Sequence, residues 1–241
     1  MNLLLLEPAD LAPDGTARLS GRRLRHALEV LRAAEGDLLR VGLLGDLVGM
    51  AEVLRAGEEE IVLRPSFEEP PPERPGVDLL LAIPRPKALR KVLPAVASLG
   101  VDRVVLVNAA RVEKSYFDSS VLRPDSMREL LIVGLEQARD TRLPEVLVRE
   151  RFRPFVEDEL DALWPGTGRL LAHPGGDGAP VRQSGRTVIA IGPEGGWVPF
   201  EIELLRSRGF VPFTLGPRTL RVEVAVPYAL GAISRGARRA Q

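Results

Sequence analysis

The stretch Val188-Ile-Ala-Ile-Gly-Pro-Glu-Gly-Gly-Trp197 decides how this chain is read. Its first four residues are apolar without alternation, the pattern of a central strand covered on both faces. They run straight into Gly192-Pro193-Glu194-Gly195-Gly196, where three glycines in five residues permit positive φ and a close approach of backbone to ligand. Helical spacing follows over 199–207. Pro199 suits its first position, and Glu201 its first turn, where the helix dipole favours a carboxylate. A turn at the carboxyl end of a parallel strand is where open α/β sheets hold small ligands. The same pattern would also serve an ordinary strand-to-helix turn. Its spacing is not the dinucleotide fingerprint, and it lacks the Lys-Ser/Thr of a phosphate loop.

Strands and helices alternate on both sides of this turn. Strand patterns cover 78–83, 103–107, 145–148 and 169–172, and helix patterns cover 87–99, 125–138, 154–163 and 223–235. That order predicts an α/β domain with a mostly parallel sheet and helices on both faces. Pro94 predicts a kink or break in the 87–99 helix. The first 66 residues differ: short strands over 3–6, 38–44, 47–54 and 61–63 suggest a small barrel or meander. They include one helix over 20–32, with Leu24, Ala27, Leu28 and Leu31 at helical spacing and Ser20 as its N-cap. The proline-rich, charged run 68–76 suits a linker. The expected domains are therefore 1–66, a linker at 67–76, and 77–241.

Composition narrows the function classes. Thirty-three basic and 33 acidic side chains give a formal net charge of zero, so no whole-chain field announces a nucleic-acid partner. Basic residues nevertheless cluster at 18–32, 85–91, 139–142 and 235–239, compatible with local RNA contacts. The chain has no cysteine, so disulfides and cysteine-ligated metals are excluded, which fits a cytoplasmic setting. His26 and His173 stand far apart, so no histidine metal cluster is expected. The apolar runs are too short to span a bilayer, so no membrane association is expected.

Ile191-Gly-Pro-Glu-Gly-Gly-Trp197, Glu201, Gly209-Phe210, Leu215-Gly216 and Leu220-Arg-Val-Glu-Val-Ala225 resemble the C-terminal signature of the RsmE family. More weakly, Arg25-His-Ala-Leu-Glu-Val-Leu-Arg32 with Gly36-Asp37 is similar to that family's N-terminal domain, and Glu136-Gln137 with Arg142-Leu-Pro-Glu145 to its central motif. The chain departs from the pattern at Ala95, Ser98, Asp140, Val198, Val222 and Val224. The resemblance implies an S-adenosylmethionine-dependent methyltransferase acting on N3 of a uridine in small-subunit (16S) ribosomal RNA. It implies a SPOUT domain with a deep trefoil knot, a PUA-like RNA-binding β-barrel before it, and a homodimer. Naked RNA and the assembled small subunit both stay open as substrate.

By the same resemblance the cofactor lies between three loops, represented by Ala172 and His173, by Gly192, Glu194, Gly195 and Gly196, and by Leu215, Gly216 and Leu220. Methylating N3 requires loss of its proton, through a general base or a cation that stabilises the uridinate oxygens. Arg221 and Glu223 are the candidates, as polar residues in an otherwise apolar run; a structural ion pair is the competing reading. Arg22, Arg23, Arg25, Arg85, Lys87, Arg139 and Arg142 are expected to contact RNA. Trp197 is expected to pack rather than stack a base. Two other functions fit the sequence: a SPOUT methyltransferase for another RNA atom, such as a ribose 2′-hydroxyl, and a non-catalytic ribosome-assembly protein.

Overall fold

The computed structural model describes residues 3–181 and 185–234, so the basic cluster at 235–239 lies outside the described residues. Two compact units form, one from Met1–Glu73 with Leu131–Leu143, the other from Arg74–Leu130 with Pro144–Gln241.

The first unit is built on a five-stranded sheet. Its strands are β1 (Leu4–Leu6), β2 (Ala17–Leu19), β3 (Leu38–Leu43), β4 (Val48–Ala56) and β5 (Ile61–Glu69), in the order β1-β3-β4-β5-β2. β1 runs parallel to β3, and the other pairings are antiparallel. Register shifts at Val48/Gly49 and Val53/Arg55 mark bulges, which bend and twist a sheet. At Gly49 a Cβ would stand 1.9 Å from the Ser66 carbonyl oxygen, so only glycine fits. Leu4, Leu6, Leu19, Val41, Val53, Ile61 and Leu63 make the core, roofed by Leu24 and Ala27.

Three expectations change here. The 20–32 helix is shorter and less regular than expected: α1 (Gly21–Arg25) continues as one π turn (His26–Val30). Ser20 holds the N-cap position without a side-chain cap bond. β5 runs through Glu69, paired with Val48, so ladder hydrogen bonding carries the strand into the charged run assigned to the linker. Residues Leu131–Leu143 belong to this unit although their helical pattern reads continuously with the second: Leu3 N–H donates to the Glu136 carbonyl (2.9 Å) and Gly45 N–H to that of Thr141 (2.8 Å).

The second unit holds a six-stranded parallel sheet in the order β11-β9-β10-β6-β7-β8. These strands are β6 (Val77–Ala82), β7 (Arg103–Val107), β8 (Glu145–Arg149), β9 (Gly168–Ala172), β10 (Thr187–Ile191) and β11 (Val211–Phe213). β6 and β10 are buried at every residue, which is why they read as apolar runs. The helices are α2 (Pro86–Ser98), α3 (Pro124–Ala138, of which 131–138 belong to the first unit), α4 (Phe152–Pro154), α5 (Leu160–Leu163), α6 (Pro199–Ser207) and α7 (Val222–Ser234), with a π turn at Phe155–Glu159 between α4 and α5. No break occurs at Pro94: α2 runs through it. Burial of Ala88, Leu89, Val92, Leu93, Val96 and Ala97 on one face offsets the lost backbone bond. β11 has no counterpart in the sequence reading.

At the amino end of this sheet, polar groups are buried and paired. Asp78, fully buried in β6, accepts from Trp164 Nε1 (2.8 Å), Arg103 N–H (3.0 Å) and the Arg186 guanidinium (2.8 Å). Arg186 also pairs with Asp102 (3.0 Å), as does Arg74 (3.0 Å). Among the described residues, no helix is long and apolar enough to cross a membrane, and no cluster of three potential metal ligands occurs.

Candidate functional site

The opposite, carboxyl end of the sheet opens into a cleft of about 410 Å³. Three loops wall it, and each has a local cause.

The first follows β9. His173 N–H donates to the Phe213 carbonyl (3.0 Å), and the His173 ring Nδ1 accepts from Gly175 N–H (3.0 Å). With Nδ1 an acceptor, the neutral imidazole carries its proton on Nε2. Gly176 presses on Phe213, where a Cβ would meet backbone at 2.4 Å.

The second is the glycine turn after β10. Gly196 N–H closes it onto the Pro193 carbonyl (2.8 Å), and Gly196 has a φ of 72°. A Cβ on Gly192 would lie 3.1 Å from both the backbone nitrogen and Cδ1 of Trp197. The indole is buried, 5.5 Å from the Phe152 ring centroid, so Trp197 packs as expected. Its Nε1 is buried with no hydrogen-bond partner among the described residues. Glu194 accepts from Arg85 N–H (3.0 Å), tying the turn to the start of α2. The Arg111 guanidinium donates to the Gly195 carbonyl. Buried Glu201 accepts from Val198 N–H (2.9 Å) and from Ala110 N–H (2.7 Å). Its carboxylate thus caps α6, replacing a capping side chain at Val198, and fastens the loop after β7 to that helix.

The third loop follows β11. Thr214 N–H donates to the Gly178 carbonyl (3.0 Å), and Thr214 Oγ1 accepts from Gly216 N–H (3.1 Å), where φ is 103°. The loop ends at Arg221, whose carbonyl accepts from Val224 N–H (2.9 Å) and Ala225 N–H (2.8 Å) at the start of α7.

All nine residues expected at the cofactor line this one cleft: Ala172, His173, Gly192, Glu194, Gly195, Gly196, Leu215, Gly216 and Leu220. The two expected to act on the proton do not line it. Arg221 is exposed, and its side chain makes no hydrogen bond or ion pair among the described residues. Glu223 lies 3.6 Å from Lys91 Nζ, the arrangement of an ion pair between α7 and α2.

The expected RNA contacts divide between the units. In the first, Arg22 bonds Glu136 with two nitrogens (3.1 and 3.2 Å), Arg23 pairs with Asp10, and Arg142 bonds Asp140 and the Pro72 carbonyl. Arg25 and Arg139 are exposed. Asp140 is buried and accepts from Thr141 N–H (2.7 Å) and Arg142 N–H (3.0 Å), so it shapes the turn after α3. In the second unit Lys87 and Arg85 are exposed. A hydrogen bond to Tyr116, and then the charges of Tyr116 and Glu194, hold the Arg85 guanidinium above its ordinary pKa. Burial pushes the Tyr116 phenol up as well, followed by its bond to Glu113 (3.0 Å).

Sequence reasoning missed Arg111 and Arg218. No local pattern marks Arg111, because its partner Gly195 is distant in the chain. Arg218 lies within the 215–220 segment that was singled out for its apolar and glycine positions.

The cleft fits a small organic ligand. Its volume lies in the range of small-molecule sites, roughly 300–1,000 Å³. Gly192 lets the turn pass close to Trp197, where a Cβ would be crowded at 3.1 Å, and Trp197 Nε1 is an unmatched donor in the wall among the described residues. Ile191, Leu215, Leu220 and Val222 supply apolar surface beside few charged groups.

The chain that carries this cleft between three converging loops matches the RNA methyltransferase domain family over residues 72–234. Over 97% of its length the chain is 32% identical to the ribosomal RNA small subunit methyltransferase E of Treponema pallidum, covering 90% of that protein. It is 30% identical to the Mycobacterium tuberculosis protein of the same name, over 93% of this chain and 88% of that one. The chain belongs to the ribosomal RNA small subunit methyltransferase E family. A Legionella pneumophila protein solved with SAM bound has a TM-score of 0.78 and 25% identity, with 98% of each chain covered. The Neisseria gonorrhoeae ribosomal RNA small subunit methyltransferase E, solved with S-adenosyl methionine, shares the fold with a TM-score of 0.78 at 23% identity, covering 98% of this chain and 97% of that one.

Proposed function

We propose that this chain is an S-adenosylmethionine-dependent methyltransferase that methylates N3 of a uridine in 16S ribosomal RNA of the small subunit. The observation that carries the reading is the convergence of nine residues, expected from three separate loops, on one cleft. Relatives named for small-subunit ribosomal RNA methylation, and a relative solved with SAM bound, support the substrate class and the cofactor.

The chain's own residues divide the work. The three loops would hold the cofactor through backbone edges and apolar contacts, with the turn shaped by Arg111, Glu194 and Glu201. When bound, S-adenosylmethionine supplies a methyl group on a cationic sulfur. Arg221, between the cleft-lining Leu220 and Val222, would meet an RNA phosphate or support the developing anion. Glu223, held by Lys91, would orient α7 or accept a proton; its ion pair favours the first role.

We read the first unit, with the boundary near residue 66, as the PUA-like barrel that grips RNA through Arg22, Arg23, Arg25, Arg139 and Arg142. Residues 77–241, apart from the 131–143 segment, form the SPOUT domain, in which Arg85 and Lys87 contact RNA. The three cleft loops would belong to its trefoil knot. A homodimer is supported by α7, which leaves Val224 (47% exposed) and Tyr228 (57%) open to solvent. The enzyme would work in the cytoplasm, without metal or membrane.

The test is methyl transfer from labelled S-adenosylmethionine to small subunits and to naked ribosomal RNA, with the modified nucleoside identified by mass. N3-methyluridine is expected. A ribose-methylated nucleoside would move the chain to another SPOUT activity, and cofactor binding without any product would leave an assembly protein.

A further inference from the structure

Three ionisable side chains line the cleft: His173, Glu194 and Arg218. Protein partners engage two of them. His173 Nδ1 is held by Gly175 N–H, and Glu194 receives Arg85 N–H. Arg218 makes no hydrogen bond or ion pair among the described residues, and it is exposed. A nearby cation is already committed, Arg111 to the Gly195 carbonyl. Arg221 does not line the cleft. Arg218 is therefore the one cleft-lining cation among the described residues whose charge faces whatever enters.

Two ligand groups could take that charge, the cofactor's carboxylate or the target base. Position separates them. Residues 216–219 form an exposed lip, whereas Ile191, Trp197 and Val222 form a buried inner wall. A polymer reaches the lip, and a small cofactor fills the depth. Chemistry points the same way. Uridine N3 becomes nucleophilic when its proton passes to solvent water, leaving a lone pair and a charge spread over O2 and O4. That lone pair forms the new N–C bond while the carbon–sulfur pair departs with sulfur. A guanidinium beside O2 or O4 lowers the cost of the anion as it forms, whereas on the cofactor's carboxylate it would be used equally before and during transfer and would not raise the rate.

Resting on the methyl-transfer reading above, we propose that Arg218 is the catalytic cation that stabilises the uridinate of the target base. Its planar fork suits two acceptor contacts on a base edge.

The experiment compares wild type, Arg218→Ala and Arg218→Lys with small subunits as substrate. It measures kcat against pH at saturating cofactor, and S-adenosylmethionine affinity by calorimetry. Arg218→Ala should lose on the order of 100-fold in kcat near neutral pH, the effect of removing one such stabilising donor. Its rate should go on rising with pH about one unit or more beyond the wild-type plateau, with cofactor affinity unchanged. Arg218→Lys should recover part of the rate and return the plateau toward the wild-type pH, because it keeps the charge but not the fork. If the alanine variant fails to fold, the lysine profile decides alone, since a plateau unchanged from wild type overturns the proposal. A weakened cofactor affinity with kcat intact at saturation overturns it too, assigning Arg218 to the cofactor. So does an alanine profile that superimposes on wild type after scaling. Absence of N3-methyluridine from wild-type reactions overturns the parent reading and this one with it; wild-type product with an unmoved Arg218→Ala profile overturns this one alone.

Discussion

The two ends of the six-stranded sheet use the same strands for opposite purposes. At the amino end, Asp78, Asp102, Arg74, Arg103, Arg186 and Trp164 bind one another, and Asp161 pairs with Arg169 (2.6 Å) and Arg208 (2.8 Å) nearby. At the carboxyl end, glycines replace side chains, and among the described residues Trp197 Nε1 and the cleft-lining Arg218 have no partner. Paired charges fix a fold and leave nothing for a ligand. Unpaired groups beside open space leave binding capacity and add little stability. Stability and recognition are thus separated along the strand direction.

That contrast can be attacked from either end. Asp78→Ala should have the largest effect. It strands the Trp164 Nε1 and Arg103 N–H donors in the interior, so denaturant unfolding should show a loss of about 3–5 kcal/mol. Gly192→Val should act at the other end, crowding Trp197 and the cleft wall beside it. Cofactor affinity should fall about 100-fold, or ~2.7 kcal/mol, and the overpacking should cost about 1–3 kcal/mol of stability, less than the loss at Asp78. Glu201→Ala tests the place where the division blurs, because this buried carboxylate lies at the carboxyl end yet bridges two backbone amides. Its removal should cost about 2 kcal/mol of stability, and should weaken cofactor binding by loosening α6 behind the turn.

The smallest effect concerns acid. A hydrogen bond from Arg169, and then one from Arg208, holds the Asp161 carboxyl below its usual pKa. A carboxylate depressed in the folded state contributes stability that is complete above its unfolded pKa and is lost as pH falls through the folded value. Asp161→Asn should therefore flatten the acid limb of the stability profile slightly, with no change in cofactor binding. A pH-stability curve of both proteins checks it.

Much of the carboxyl end was legible in the sequence, because glycine turns and buried strands leave local signatures. The β10 strand, the 192–196 turn and α6 follow from apolar runs, glycine spacing and Pro199. The amino end was less legible, since its bonds join residues far apart in the chain. Asp78 did give a sign, a charged residue inside an apolar strand, but nothing local names Trp164 or Arg186 as its partners. β11 escaped for a similar reason: three residues around Pro212 become a strand only by pairing with β9. Of the kink or break expected at Pro94, the break does not occur, because a local penalty was outweighed by burial of one helix face. In the first unit, the 131–143 segment could not be assigned from its own helical pattern, which reads the same whichever unit it joins.

The most direct measurement is a calorimetric titration of S-adenosylmethionine into wild type, Gly192→Val and Trp164→Phe, at a temperature where all three stay folded. Trp164→Phe removes one donor from Asp78 at the amino end, and Gly192→Val crowds the cleft wall beside Trp197 at the carboxyl end. The account predicts wild-type affinity in the less stable Trp164→Phe protein and affinity lowered about 100-fold in Gly192→Val. Intact binding in Gly192→Val would contradict it, placing the cofactor elsewhere than the cleft that the three loops form.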